Sequence, residues 1–176
     1  MKLSQGVEWG VHYCVLLVQA PPGAAVRRST LAGYYGLPEA YLAKHLKSLA
    51  AAGVLTATSG PRGGFRLARD PKDITVLDVV EAVEGSAPAF VCGEIRQRGA
   101  CAIPPERCTG PCGVAQVMYD ADRAWRESLR AVTVADLSGG LSEAVRSRGR
   151  AWLADPTAPL PPFPQTGSVR KGQWEA

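Results

Sequence analysis

Residues 91–112 read VCGEIRQRGACAIPPERCTGPC and place Cys92, Cys101, Cys108 and Cys112, four of the chain's five cysteines, within 21 residues. Thiols gathered in this way can form disulfides, bind zinc, hold an iron–sulfur cluster or act as a reversible redox pair. Cys108 and Cys112, three residues apart, have half of a zinc-knuckle spacing. The gaps of eight residues from Cys92 to Cys101 and six from Cys101 to Cys108 form no second knuckle. Position along the chain cannot choose among these chemistries, so the elements around the loop have to.

The chain has 176 residues, 46% hydrophobic and 20% charged, a composition that suits one globular domain with appendages. No stretch of 18 apolar residues occurs, so no membrane-spanning helix is expected. The N-terminal run MKLSQGVEWGVHYCVLLVQA is broken by Glu8 and His12 and reads as a helix of the fold rather than a leader. The expected compartment is the cytoplasm, with no membrane partner. Reduced thiols are usual there, which disfavours a disulfide framework and favours metal or redox chemistry.

The net charge of +4 is uneven: residues 1–70 carry +5, residues 71–140 carry −3 and residues 141–176 carry +2. A basic first third is what a nucleic-acid-binding head requires. The order of elements agrees. A first helix spans residues 3–19 and is ended by the prolines and glycine of APPGAA. Ser29 or Thr30 can cap a short second helix running to about Tyr35, and Gly36-Leu37-Pro38 makes a tight break. A third helix then runs from Pro38 to Ala52, with Leu42, Leu46 and Leu49 on one face.

Strand-prone Val54–Thr58 and Phe65–Ala68 flank SGPRGG and predict a hairpin with Arg62 at its tip. Two helices around a tight turn, followed by a hairpin, make a winged helix-turn-helix: mainly α with a small β-wing. On that frame the candidate DNA-contacting residues are Ser29, Thr30, Glu39, Ala40, Tyr41, Lys44, Lys47 and Arg62. The lysines and Arg62 suit phosphate, and the small and polar residues at the start of the third helix suit base edges. A solvated helix face is the plainer alternative for the same residues.

Thr75 and Asp78 form a capping box for a helix over residues 75–84. After the cysteine loop, a helix of about 20 residues from Pro111 repeats apolar side chains at Val114, Met118, Ala121, Trp125, Leu129 and Val132. This stripe suits either a dimer contact or core. The final segment has five prolines between residues 156 and 164, and the C-terminal extension is expected to be partly disordered.

Over about residues 1–137 the chain resembles the Rrf-type winged-helix repressors. These are bacterial regulators that include an iron–sulfur cluster regulator and sensors of nitric oxide, iron and redox state. The resemblance rests on MKLS, PEAYLAKHLKSLAAAGVL, the wing SGPRGGFRLARDPKDITVLDVVEAVEG, the cysteine loop and TVADL at 133–137. It implies a DNA-binding domain at 1–86, a cluster-binding loop at 87–112, a dimerisation helix at 113–137 and an extension at 138–176.

It further implies a homodimeric transcriptional regulator on double-stranded operator DNA, not an enzyme. Its cofactor would be an iron–sulfur cluster, 2Fe–2S or 4Fe–4S. Cys92 matches the family's first ligand, Cys112 its last, Cys101 the middle one, and Cys108 is a spare able to exchange roles with Cys101. In one branch an acidic residue of the partner subunit completes the cluster at the position of Glu8, with His12, one turn on, as a reserve. An exposed surface glutamate is the alternative for Glu8. Other branches use histidines where this chain has Ala115 and Tyr35, which leaves the cluster type open. Cys14, in the apolar first helix, reads as a core thiol. The competing readings are a thiol switch or zinc-bound regulator and, outside regulation, an iron–sulfur carrier or redox enzyme.

Overall fold

The computed structural model describes residues 2–61 and 63–163. Helix α1 (Gln5–Leu17) is the centre of the molecule: Val7, Tyr13, Cys14, Leu16 and Leu17 are buried along it, and it packs on α3, α4 and α6. The close approach to α3 depends on Gly6, where a Cβ would stand 2.3 Å from His45 Cε1. His45 itself is half-buried with its ring edge-on to Trp9.

Helix α2 (Arg28–Tyr35) begins before the expected caps, leaving Ser29 and Thr30 inside its first turn. The physical reason is a contact from outside the helix. Val26 and Phe65 exchange both backbone hydrogen bonds at 2.8 Å, so the chain enters α2 already extended along the wing. Gly36, at φ 65, ends α2 in the left-handed conformation that glycine adopts without steric cost. Helix α3 (Glu39–Ala51) follows Pro38 and buries Leu42, Leu46 and Leu49 completely, as its periodicity predicts.

The hairpin pairs β1 (Leu55–Thr58) with β2 (Gly64–Leu67) antiparallel. Helix α4 (Val76–Glu84) starts at the predicted capping box: Thr75 N–H donates to Asp78 Oδ2 at 2.8 Å and Asp78 N–H to Thr75 Oγ1 at 3.1 Å. Helix α5 (Gly113–Arg130) has Cys112 at its N-cap and only Ala115 buried. Helix α6 (Val134–Gly139) has a second capping box, Thr133 with Asp136, and the backbone bridges Thr75 to Thr133 beside the first box. The backbone bonds of this bridge, Val76 N–H to the Val132 carbonyl and Val134 N–H to the Ile74 carbonyl, both 2.9 Å, return the chain after α5 to the head.

The extension contains one more helix, α7 (Glu143–Ala154), capped by Ser142 and packed on α2. The proline-rich segment after it is described as far as Phe163, whose ring lies 4.4 Å from the Arg148 guanidinium carbon. Arg148 also donates to the Pro161 carbonyl. The remainder of the expected disordered segment, residues 164–176, lies outside the described residues. Among the described residues no helix is long and apolar enough to cross a membrane.

Candidate nucleic-acid interface and cysteine loop

The leucine face of α3 is anchored in the core, which turns the opposite face outward. Glu39, Ala40, Tyr41, Lys44 and Lys47 are all exposed there, and Tyr41 keeps 66% of its surface. An exposed aromatic and two lysines along one helix face carry the chemistry that phosphate and base contacts require. Glu39 is paired with Arg28 of α2 at 3.0 Å, both side chains about half exposed. This ion pair bridges the turn between the two helices.

The wing is held to the same surface. Arg27 donates to the Pro61 carbonyl at 2.9 Å, so the hairpin tip sits beside the start of α2, where Ser29 is exposed and Thr30 half-buried. Arg62 lies outside the described residues. Reading the sequence missed Arg27 and Arg28. Two consecutive arginines at the start of a short helix were the available signal.

The cysteine loop has its own anchor. Glu94 adopts φ 47, rare for a residue with a Cβ, and its carboxylate takes both sides of the Arg96 fork at 2.5 and 2.7 Å. The same guanidinium donates to the Gly110 carbonyl at 2.8 Å, tying the loop's first half to its last turn. Glu94 is held below the usual carboxylate range by this pairing. Arg96 is correspondingly held more firmly protonated by Glu94.

Phe90 and Tyr119 meet edge to face at 5.7 Å, and Ala89 N–H donates to Asp122, so the start of the loop leans on α5. Cys92, Cys108 and Cys112 are half-buried, Cys101 is exposed, and all four are free thiols. Cys14 is also free but wholly buried, and burial pushes its thiol up to about 12, as expected of a core residue.

The four thiols suit an iron–sulfur group in type and number, since soft thiolates are the usual ligands of such clusters. Their arrangement in the single chain is open: among the described residues no three His, Cys, Asp or Glu side chains converge as a metal site. Glu8 and His12 lie on α1, both exposed. His12 stands against the Tyr35 ring at 5.6 Å, and Tyr35 Oη donates to the His12 carbonyl at 3.5 Å. A ligand set of this kind is commonly completed by the bound group itself, because metal sites are seldom preformed.

Residues 3–140 match the Rrf2 family, described as an iron-dependent transcriptional regulator. The chain belongs to the Rrf2 family. It is a transcriptional regulator of that family, and its winged-helix head, cysteine loop and α5 all fall within the Rrf2 match. A regulator of the helix-turn-helix type from Mycobacterium tuberculosis is 30% identical over 144 residues, 80% of this chain and 83% of that protein. Another, from Lactococcus lactis, is 37% identical over 90 residues; the match covers 51% of this chain and 58% of that relative's length. Among solved structures, T. potens IscR superposes with a TM-score of 0.60 at 27% identity, covering 82% of this chain and 90% of that one. Residues 141–163, with α7, lie beyond the Rrf2 match.

Proposed function

We propose that this chain is a homodimeric regulator that binds double-stranded operator DNA and whose DNA affinity is set by an iron–sulfur cluster in the cysteine loop. The observation that carries the reading is the position of the four free thiols. They lie in the segment joining the winged-helix head to α5, a helix whose Val114, Val117 and Met118 are 70%, 66% and 41% exposed. An apolar face left open on so long a helix is suited to a second copy of the chain. A two-fold pair of heads reads half-sites about 34–36 Å apart.

Cys92, Cys101 and Cys112 are the proposed ligands, with Cys108 able to replace Cys101, and Glu8 of the partner subunit or His12 completing the set. When bound, such a cluster supplies a redox- and nitric-oxide-sensitive centre held by thiolates. The chain's own part is mechanical. The Glu94–Arg96–Gly110 tie closes the loop, Phe90 on Tyr119 seats it on α5, and Arg27 and Arg28 hold the wing and α3 to α2. On this reading a change in loop closure is passed on to the spacing of the two α3 helices. For such a switch about 1–3 kcal/mol of coupling is usual, or roughly 5- to 150-fold in DNA affinity.

A thiol switch is the second reading, favoured by Cys108 and Cys112 being two half-buried free thiols separated by three residues in one loop.

The test is anaerobic purification with iron and acid-labile sulfide analysis. Stoichiometric iron and sulfide, with visible absorption lost in Cys92→Ser or Cys112→Ser, supports the cluster. Colourless protein forming a Cys108–Cys112 disulfide on oxidation, found by peptide mass spectrometry, supports the switch. On the DNA side, Lys44→Ala or Lys47→Ala should weaken binding almost uniformly across sequences and lower the salt slope by about one. Wild-type affinity and slope in both variants would remove α3 from the interface.

A further inference from the structure

Helix α7 reaches α2 of the DNA-binding head with the side chain of Trp152. The Trp152 indole Nε1–H donates to the Thr30 carbonyl at 2.8 Å, across 122 residues of chain. Its ring meets Tyr34 edge to face at 6.1 Å, and it lies over Gly33, where an added Cβ would stand 2.9 Å from Trp152 Cζ2. The other side of α7 rests on α1: Gly149 is buried, with Leu16 and Gln19 atoms 3.4 Å from where its Cβ would be. Gln19 in turn donates to Ser138 of α6 at 2.8 Å.

The helix thus braces α2 against the core. The contacts continue along α2 as a run of edge-on rings, Trp152 to Tyr34 to Tyr35, the last also touching His12 and Tyr13 of α1. Tyr34 and Tyr35 are the final residues of α2, immediately before the Gly36 turn that sets the direction of α3.

We propose that α7 is a strut added to the head and that Trp152 is a positioning residue for DNA recognition. It holds α2, and through the turn α3, at the angle at which α3 meets the major groove. The proposal rests on the DNA-binding reading above and concerns neither the cluster nor the dimer face. Trp152 carries no charge to DNA, so its effect falls on the fit of α3 to base edges rather than on phosphate attraction.

The experiment uses full-length wild type, Trp152→Ala, Trp152→Phe and Gly33→Ala. Two duplexes serve as probes: one that the wild type enriches from a randomised library, and a scrambled one of the same composition. Trp152→Ala is expected to lose about 5- to 150-fold on the enriched duplex, the range of ordinary conformational coupling. Its affinity for the scrambled duplex and its salt slope stay at the wild-type values. Trp152→Phe, which keeps the ring contact and loses the hydrogen bond, falls between. Amide exchange should quicken over residues 31–36 in Trp152→Ala and stay unchanged in α4.

Gly33→Ala pushes the indole away from the opposite side with a residue of higher helix propensity, and should reproduce the selective loss even where Trp152→Ala folds poorly. Wild-type affinity on both duplexes, or equal losses on both, overturns the strut while leaving the DNA reading intact. A wild type that enriches no duplex overturns both.

Discussion

Arg126 of α5 reaches across 45 residues to Glu81 of α4, with Nη1 2.5 Å from Oε1. The same guanidinium donates to Asp122 at 2.8 Å and to the Ser86 and Ala87 carbonyls at 3.2 and 3.1 Å. One side chain therefore gathers the last helix of the head, the long helix and the first residues of the cysteine loop. Asp122 is held below the usual carboxylate range by this cation.

Breaking that clamp should cost stability through coupling rather than through lost area. The Arg126 side chain is 18% and Glu81 33% exposed, a partly screened pair. A double-mutant cycle of Arg126→Ala and Glu81→Gln, followed by urea unfolding, should give a coupling of about 1 kcal/mol. Strictly additive losses would mean that the pair does not persist in solution.

Tyr13 is fully buried, and its hydroxyl has no hydrogen-bond partner among the described residues. Burial pushes this phenol up to about 12, which keeps it neutral. A buried unsatisfied hydroxyl costs about 1–3 kcal/mol, so Tyr13→Phe should be neutral or stabilising. The expected gain in Tm is up to about 2–4 °C per kcal/mol for a chain of this size. A clear loss of Tm would reveal a partner for the hydroxyl.

The five thiols should separate into two groups on labelling. In reduced, metal-free protein at neutral pH, Cys92, Cys101, Cys108 and Cys112 should react with a disulfide reagent from the folded state. Cys14, wholly buried and with its thiol pushed up to about 12, should react only as the chain unfolds. Peptide mapping after a short pulse decides this, and early label on Cys14 would refute the core assignment.

At acid pH the N-terminus should loosen first. Ser4, the N-cap residue of α1, donates from its amide and its hydroxyl to Glu84 Oε1 at 2.9 and 2.5 Å, and these bonds hold Glu84 below the usual carboxylate range. A lowered carboxyl means the unfolded chain binds the proton more readily. The contribution is therefore complete at neutral pH and is lost as pH falls below about 4.3 toward the folded value. Glu84→Gln should flatten the acid limb of a Tm-against-pH curve, by less than about 1 kcal/mol for so exposed a pair. An unchanged acid limb would count against the contact.

Several features of this chain were legible without coordinates because they depend on neighbours within one or two turns. Leu42, Leu46 and Leu49 mark the buried face of α3 by their spacing alone, and Thr75 with Asp78 caps α4 where the box pattern places it. The wing follows from two short strand-prone runs around glycines, and the cysteine loop from composition. What the tertiary structure decided lies between residues far apart. The start of α2 follows the Val26–Phe65 bridge rather than Ser29 or Thr30, because that pairing holds the backbone extended up to Arg27. The stripe on α5 could have been core or contact by periodicity, and only the placement of the other helices left its Val114 and Met118, with Val117 beside them, uncovered. The strut belongs to the same class. Trp152 meets Thr30 only once α1, α2 and α7 are packed together, and a hydrogen bond across 122 residues leaves no trace in the local pattern of either segment.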